Sequence, residues 1–254
     1  MILHTIDSGA GAPVALLHGL FGRAQNLGSV ARRLAPAMRV ISIDLRNHGA
    51  SPHAPGMDYE TQAADVIETL AALHALPAAL LGHSMGGKTA MAAALMAPHN
   101  VGRLVVADIA PVAYAHQNAR IAKALQMLPL QPGMTRADAD RQLLAAVPDA
   151  AVRAFLLQNF VPGTAPGWRI GLDHIVNDIA TIESWPQFPP GTCYEGPALF
   201  IGGASSDYLL PSHHDNIKKL FPAARFEIIP DAGHWLHADQ PEAFGTMVEQ
   251  FLRQ

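Results

Sequence analysis

The sequence has little cysteine, little lysine and no long apolar run that is free of interruptions. Its 254 residues include one cysteine, Cys193, which excludes an internal disulfide framework and a cysteine-based zinc module. The lysines form no basic run and the net charge is −4, so we expect no nucleic-acid partner. The uncharged stretch closest to a membrane span, residues 69–87, contains Pro77 and a polar segment. Residues 1–7 have no basic start and no long apolar stretch, so we expect no secretion signal. We therefore expect a cytoplasmic protein with no membrane partner.

Short apolar runs alternate with longer stretches of helical periodicity. The apolar runs are residues 13–17, 39–44, 78–82, 104–108, 198–202 and 225–229, and the helical stretches are 25–34, 59–76, 84–97, 212–221 and 241–252. Near-continuous apolar runs are typical of parallel strands that are buried on both faces. The alternation predicts an α/β fold with a mostly parallel, twisted sheet flanked by helices, in which ligands bind at the carboxyl ends of the strands.

One segment, residues 112–185, interrupts this alternation. It has no strong strand run, and it has helical patterns over 115–128, 135–147 and 149–160 that are separated by prolines. An insertion of this length is too long for a loop. We therefore predict a core domain formed by residues 1–111 and 186–254, with a helical cap formed by 112–185.

The segment 82–86, Gly-His-Ser-Met-Gly, matches the G-x-S-x-G pattern between a predicted strand and a predicted helix. Such a turn is so tight that small residues must flank the serine, and it exposes the hydroxyl above the sheet. Ser84 is therefore the predicted nucleophile. The alternative is a glycine-rich turn in which Ser84 caps a helix.

A serine nucleophile needs a base and an orienting acid. His234 follows the last predicted strand, and the order of serine before histidine matches the α/β-hydrolase order. His237 competes, but it lies further from the strand end. Asp108 and Asp207 each follow a strand between the serine and the histidine, so the residues alone leave both as candidates for the acid.

The remaining predicted site residues bind the substrate. Two backbone N–H groups, those of Leu20 and Met85, are expected to form the oxyanion hole. Apolar and aromatic side chains from the core and the cap are expected to line the acyl pocket: Phe21, Trp235, Tyr114, Phe155, Phe160 and Trp168.

Four blocks, residues 18–22, 44–51, 82–88 and 232–237, together make the chain resemble the α/β-hydrolase fold over essentially its whole length. Within that fold it is most similar to the YbfF-like bacterial esterases and their mitochondrial relatives. The resemblance implies a cofactor-free serine hydrolase that acts on acyl esters or thioesters. In that group the acid maps onto Asp108, whereas the more widespread hydrolase position maps onto Asp207, and we favour Asp108.

Other chemistries fit the residues less well. A serine at position 84 disfavours dehalogenase and epoxide hydrolase reactions, which use a carboxylate nucleophile. Residues 18–22 do not fit a dinucleotide-binding glycine pattern, and the histidines form no metal-binding motif, so we expect neither a cofactor nor a metal. The same triad could also perform C–C bond hydrolysis or peracid formation, and a non-catalytic binding protein is a further alternative. The expected partner is a small-molecule ester or thioester, and the expected state is a monomer or homodimer.

Overall fold

A computed structural model describes residues 1–114 and 118–254 of the chain. The described strands are β1 Thr5–Ser8, β2 Pro13–Leu17, β3 Arg39–Ile43, β4 Ala78–His83, β5 Val101–Ala107, β6 Phe160–Val161, β7 Gly167–Trp168, β8 Ala198–Gly203 and β9 Ala224–Ile229. The described α-helices are α1 Gly28–Leu34, α2 Tyr59–Ala72, α3 Met85–Met96, α4 Asn118–Gln126, α5 Arg136–Leu143, α6 Ala150–Leu156, α7 Leu172–Asn177, α8 Ile179–Glu183, α9 His214–Leu220, α10 Leu236–Asp239 and α11 Pro241–Leu252.

The main sheet has the order β1-β3-β2-β4-β5-β8-β9, and β1 alone is antiparallel to its neighbour in the described sheet. Alternating side chains of each central strand enter separate apolar cores on the two faces. On β4, for example, Leu80 enters one core and Leu81 the other. The expected fold class, a mostly parallel sheet flanked by helices, is confirmed.

The sheet register brings the strand ends that matter for function together. His83 of β4 pairs with Ala107 of β5, and Ala107 pairs with Ile201 of β8. The residues that follow β4 and β5 therefore emerge side by side at the carboxyl edge of the sheet, as expected for a parallel sheet.

Between β5 and β8 the chain forms α4 to α8, and α4 packs against α7 and α8. The sequence shows no strong strand run in this segment, and the structure adds a short antiparallel hairpin formed by β6 and β7. Each strand has only two residues, which is too short for an alternating pattern to be visible. The beginning of the helix expected over 115–128 lies outside the described residues. The division into core and cap stays our proposal.

Two other differences concern the core. The strand β1 was not predicted, because its exposed edge position gives it no continuous apolar run. The helix expected to reach residue 76 ends at Ala72, and His74 has φ 50°, which no α-helical residue adopts. Among the described helices, none has the length and apolar character that a membrane crossing requires.

Candidate active site

Ser84 is the only residue between β4 and α3, and it has φ 53° and ψ −120°. This conformation is costly for a residue other than glycine, so the surrounding packing must hold it. A Cβ at Gly82 would overlap the carbonyl of Gly86, and a Cβ at Gly86 would overlap the carbonyl of Leu17. The turn therefore requires glycine at both positions, and it presents the Ser84 hydroxyl at the edge of the sheet.

His234 lies in the loop after β9, with Nε2 3.1 Å from Oγ of Ser84. Its other ring nitrogen, Nδ1, is 2.7 Å from Oδ2 of Asp108. An ionised carboxylate only accepts hydrogen bonds, so Nδ1 carries the proton and Nε2 is left to accept the Ser84 hydroxyl proton. The structure thus connects Ser84, His234 and Asp108 through two consecutive hydrogen bonds.

Asp108 follows β5 directly, and it is 0% exposed. Besides His234, its carboxylate accepts hydrogen bonds from the hydroxyl of Ser206 and, at 3.1 Å, from the N–H of Gly203. Three donors satisfy the buried charge and hold the carboxylate in one orientation. Asp207, the other candidate acid, is exposed and has no hydrogen bond to a described residue, so it does not contact His234.

Neighbouring rings fix the position of His234. The ring of Tyr208 stacks on it at 3.9 Å between centroids. On the other side, His83 donates from Nε2 to the His234 carbonyl at 2.8 Å, and burial holds the pKa of His83 well below 6.5. His237 is 4.8 Å from His83 between ring centroids, and burial lowers its pKa to about 4. His237 therefore packs against His83, while His234 contacts the serine.

The segment 19–22, called the oxyanion loop below after its predicted role, passes beside Ser84. A Cβ at Gly19 would lie 3.2 Å from Cβ of Ser84, so glycine allows this close approach. Leu20 and Met85 line a small cavity together with Ser84. The N–H of Phe21 is donated to His48 and that of Gly22 to the carbonyl of Gly19, so neither is available to a reacting carbonyl, and the role of Leu20 as oxyanion donor stays a prediction.

A cavity of about 400 Å³ opens at Ser84 and His234, and most of its lining is apolar. Phe21, Phe155 and Trp235 line it, and the rings of Phe155 and Trp235 are 5.5 Å apart between centroids. Their contact with an acyl group stays a prediction. Tyr114 lines the adjoining small cavity instead, together with Ser84. These four side chains therefore surround the nucleophile.

The expectation that Phe160 and Trp168 line the acyl pocket is wrong for the described cavities at Ser84. They pair across the β6–β7 hairpin with ring centroids 5.6 Å apart, and Phe160 is buried in the core. The sequence did not predict the β6–β7 hairpin, so it gave no sign that Phe160 and Trp168 pack against each other. Trp168 faces a separate surface groove near His53.

Residues that the sequence did not single out complete the site. Ser206 and Tyr208 follow β8, and they contact Asp108 and His234 respectively. The only sequence signal for them was their position after a strand end. His18 and His48 were given no role, yet both rings bond to the backbone around the oxyanion loop, and burial lowers their pKa values to about 4 and about 3.

The parallel sheet carries a serine on a strained strand-to-helix turn, and an Asp and a His follow at later strand ends. This arrangement defines the α/β-hydrolase class. The profile of the family described as alpha/beta hydrolase fold matches residues 12–241. The chain belongs to this family.

Several known proteins are similar to this chain over nearly its whole length. The sn-1-specific diacylglycerol lipase ABHD11 of Mus musculus is 42% identical over 97% of this chain and 83% of its own length. The esterase YbfF of Escherichia coli is 36% identical over 95% of this chain and 93% of its own length. A solved structure named as a marine microorganism esterase has 37% identity and a TM-score of 0.94, with 98% of this chain and 99% of that chain covered. These relatives confirm the expected resemblance and the expectation of an esterase-type hydrolase.

Proposed function

We propose that the protein is a serine hydrolase that cleaves acyl ester or acyl thioester bonds of small molecules through an acyl-enzyme. The observation that supports this most strongly is the hydrogen-bonded chain from Asp108 through His234 to Ser84, with distances of 2.7 and 3.1 Å. A neutral imidazole in this position can remove the serine proton near pH 7.

In the proposed reaction, Oγ of Ser84 attacks the acyl carbonyl carbon while its proton moves to Nε2 of His234. The N–H groups of Leu20 and Met85 stabilise the resulting oxyanion, and Asp108 stabilises the imidazolium. The intermediate collapses as His234 returns the proton to the leaving alcohol or thiol. Water then attacks the acyl group with His234 again as base, which releases the carboxylic acid and restores the Ser84 hydroxyl.

The apolar cavity beside Ser84 supports a substrate with an apolar acyl group. Phe155, Leu156 and Val152 from the cap face Trp235 and Phe21 from the core across this space. Burying methylene groups against these side chains favours binding by about 0.8 kcal/mol for each one. The names of the relatives, an esterase and a diacylglycerol lipase, agree with an ester of this kind.

The test is the hydrolysis of p-nitrophenyl esters of increasing acyl length, with matched acyl-CoA thioesters and a Ser84→Ala control. We expect kcat/KM to rise with acyl length until the cavity is filled, and we expect the control to be inactive. Serine-directed probe labelling that persists in Ser84→Ala would refute the assignment of the nucleophile.

Product analysis on the same samples separates the alternatives. C–C bond hydrolysis or peracid formation would release products other than the acid and alcohol, and a binding protein would show no turnover. We further propose a cytoplasmic location and a monomer or homodimer, and size-exclusion chromatography with light scattering tests the oligomeric state.

A further inference from the structure

One side chain from the inserted segment reaches the oxyanion loop. Asn159 lies in the 3₁₀ turn that follows α6, and it is 1% exposed. Its Nδ2 donates to the carbonyl oxygen of Phe21 at 2.7 Å and, more weakly, to that of Leu156 at 3.4 Å. The cap is therefore hydrogen-bonded directly to the backbone that follows Leu20.

The core holds the same residue from the other side. The N–H of Phe21 donates to Nε2 of His48 at 3.0 Å, and Nδ1 of His48 donates to the carbonyl of Arg46 at 2.8 Å. Both hydrogen-bonding groups of the Phe21 backbone are thus fixed, one by the core and one by the cap. Phe21 has φ 61°, a conformation that a bulky residue adopts only when its surroundings impose it.

The oxygen of the Asn159 amide has no hydrogen-bond partner among the described residues. This atom, Oδ1, is buried. An unpaired buried acceptor lowers stability, so this oxygen does not account for an amide at position 159. The amide is used through its donor, which pairs the buried carbonyl of Phe21.

We infer that Asn159 is a positioning residue that sets the oxyanion hole, and this inference rests on the proposed function. By holding the Phe21 carbonyl, it keeps the preceding N–H of Leu20 aligned with that of Met85 beside Ser84. Donors of an oxyanion hole are effective only at hydrogen-bond distance from the developing charge, so a small rotation of this loop weakens them. Through this bond, the placement of the cap controls the chemical step.

The first variant is Asn159→Leu, which removes both the donor and the unpaired acceptor. We expect kcat for p-nitrophenyl butyrate to fall about 10- to 100-fold, with KM changed less than about threefold, since removal of a whole oxyanion donor costs about 10²- to 10³-fold. The affinity for an alkyl trifluoromethyl ketone, whose Ser84 adduct places an oxyanion in the same hole, should fall by the same factor. The melting temperature is recorded for each variant, because the substitution removes an unpaired acceptor but also leaves the Phe21 carbonyl without its donor.

The matched control is Gln158→Ala. Gln158 is exposed, and its Oε1 accepts a hydrogen bond from Asn26 at 3.2 Å, so it also joins the cap to the core. It has no hydrogen bond to the described residues of the oxyanion loop. We expect this control to keep its kcat and its affinity for the ketone. A folded Asn159→Leu protein with unchanged kcat and unchanged ketone affinity would overturn the inference.

Two further measurements keep the result interpretable. If Asn159→Leu does not fold, Asn159→Ala also removes the donor and must show the same parallel loss of kcat and ketone affinity, or the inference is wrong. The unsubstituted protein is first tested for Ser84-dependent turnover. Failure of that test would refute the proposed function, whereas a failure confined to the Asn159 variants would refute only the positioning role.

Discussion

Replacing Asp108 by Asn tests the orientation of the proposed base. The carboxylate now accepts from Nδ1 of His234, from the hydroxyl of Ser206 and from the N–H of Gly203. In Asp108→Asn, the amide oxygen can still accept from Gly203, which places the NH2 group opposite Nδ1. Two donors cannot face each other, so His234 must move its proton to Nε2, where it can no longer accept from Ser84.

The expected magnitude follows from this loss of the base. In a serine protease triad, the same change of carboxylate to amide lowers kcat about 10⁴-fold through the wrong tautomer. Each tenfold loss corresponds to about 1.36 kcal/mol, so the barrier here should rise by about 5.4 kcal/mol. The KM should change little, because Asp108 is fully buried behind His234 and does not line the cavity.

The assay is steady-state hydrolysis of p-nitrophenyl butyrate, with thermal unfolding to confirm that each variant is folded. The matched control is Asp207→Asn, an exposed carboxylate one residue after Ser206 that should keep nearly full activity. The reasoning is refuted if Asp108→Asn keeps more than a tenth of the activity. It is equally refuted if Asp207→Asn loses as much as Asp108→Asn.

Three other changes follow from the same contacts. Ser206→Ala removes one donor from the Asp108 carboxylate and should lower kcat about tenfold in the ester assay; an unchanged kcat would mean that this hydroxyl is dispensable. Gly86→Ala would force a Cβ into the Leu17 carbonyl, so we expect loss of Ser84 labelling by a fluorophosphonate probe, and normal labelling would contradict the packing argument. His18 and His48 have pKa values lowered by burial to about 4 and about 3, so the unfolded chain binds more protons below pH 6.5 and stability falls as the pH falls. These two groups should contribute a loss of about 4 kcal/mol in urea unfolding from pH 7.5 to 5. His83 and His237, whose pKa values burial also lowers, add to this loss, and a flat profile would contradict the burial of these neutral rings.

The strands that build the site were predictable because buried parallel strands leave a local pattern. The runs 78–82 and 104–108 each overlap a strand of the sheet, and Ser84 after β4 and Asp108 after β5 became candidates because of these positions. The edge strand β1 and the β6–β7 hairpin left no such pattern, since one is exposed and the other is two residues long on each side.

The choice between Asp108 and Asp207 could not be derived from local pattern, because both follow a strand in the right order. The distinction lies in contacts between distant segments, such as the 2.7 Å contact that joins His234 to Asp108. The same holds for Asn159 and His48, which are distant in sequence and both form hydrogen bonds to the backbone of Phe21. Such contacts depend on how the cap and the loops are placed in three dimensions, and no spacing in the chain encodes them.

The most direct test of the central claim is the intact mass of the protein after rapid mixing with p-nitrophenyl butyrate and acid quenching. Formation of a butyryl ester on Ser84 should raise the mass by one acyl group, with a matching burst of p-nitrophenol, and peptide mapping should place the group on Ser84. The Ser84→Ala variant should show neither. Turnover of the unsubstituted protein without a covalent adduct, or an adduct on another residue, would contradict the account.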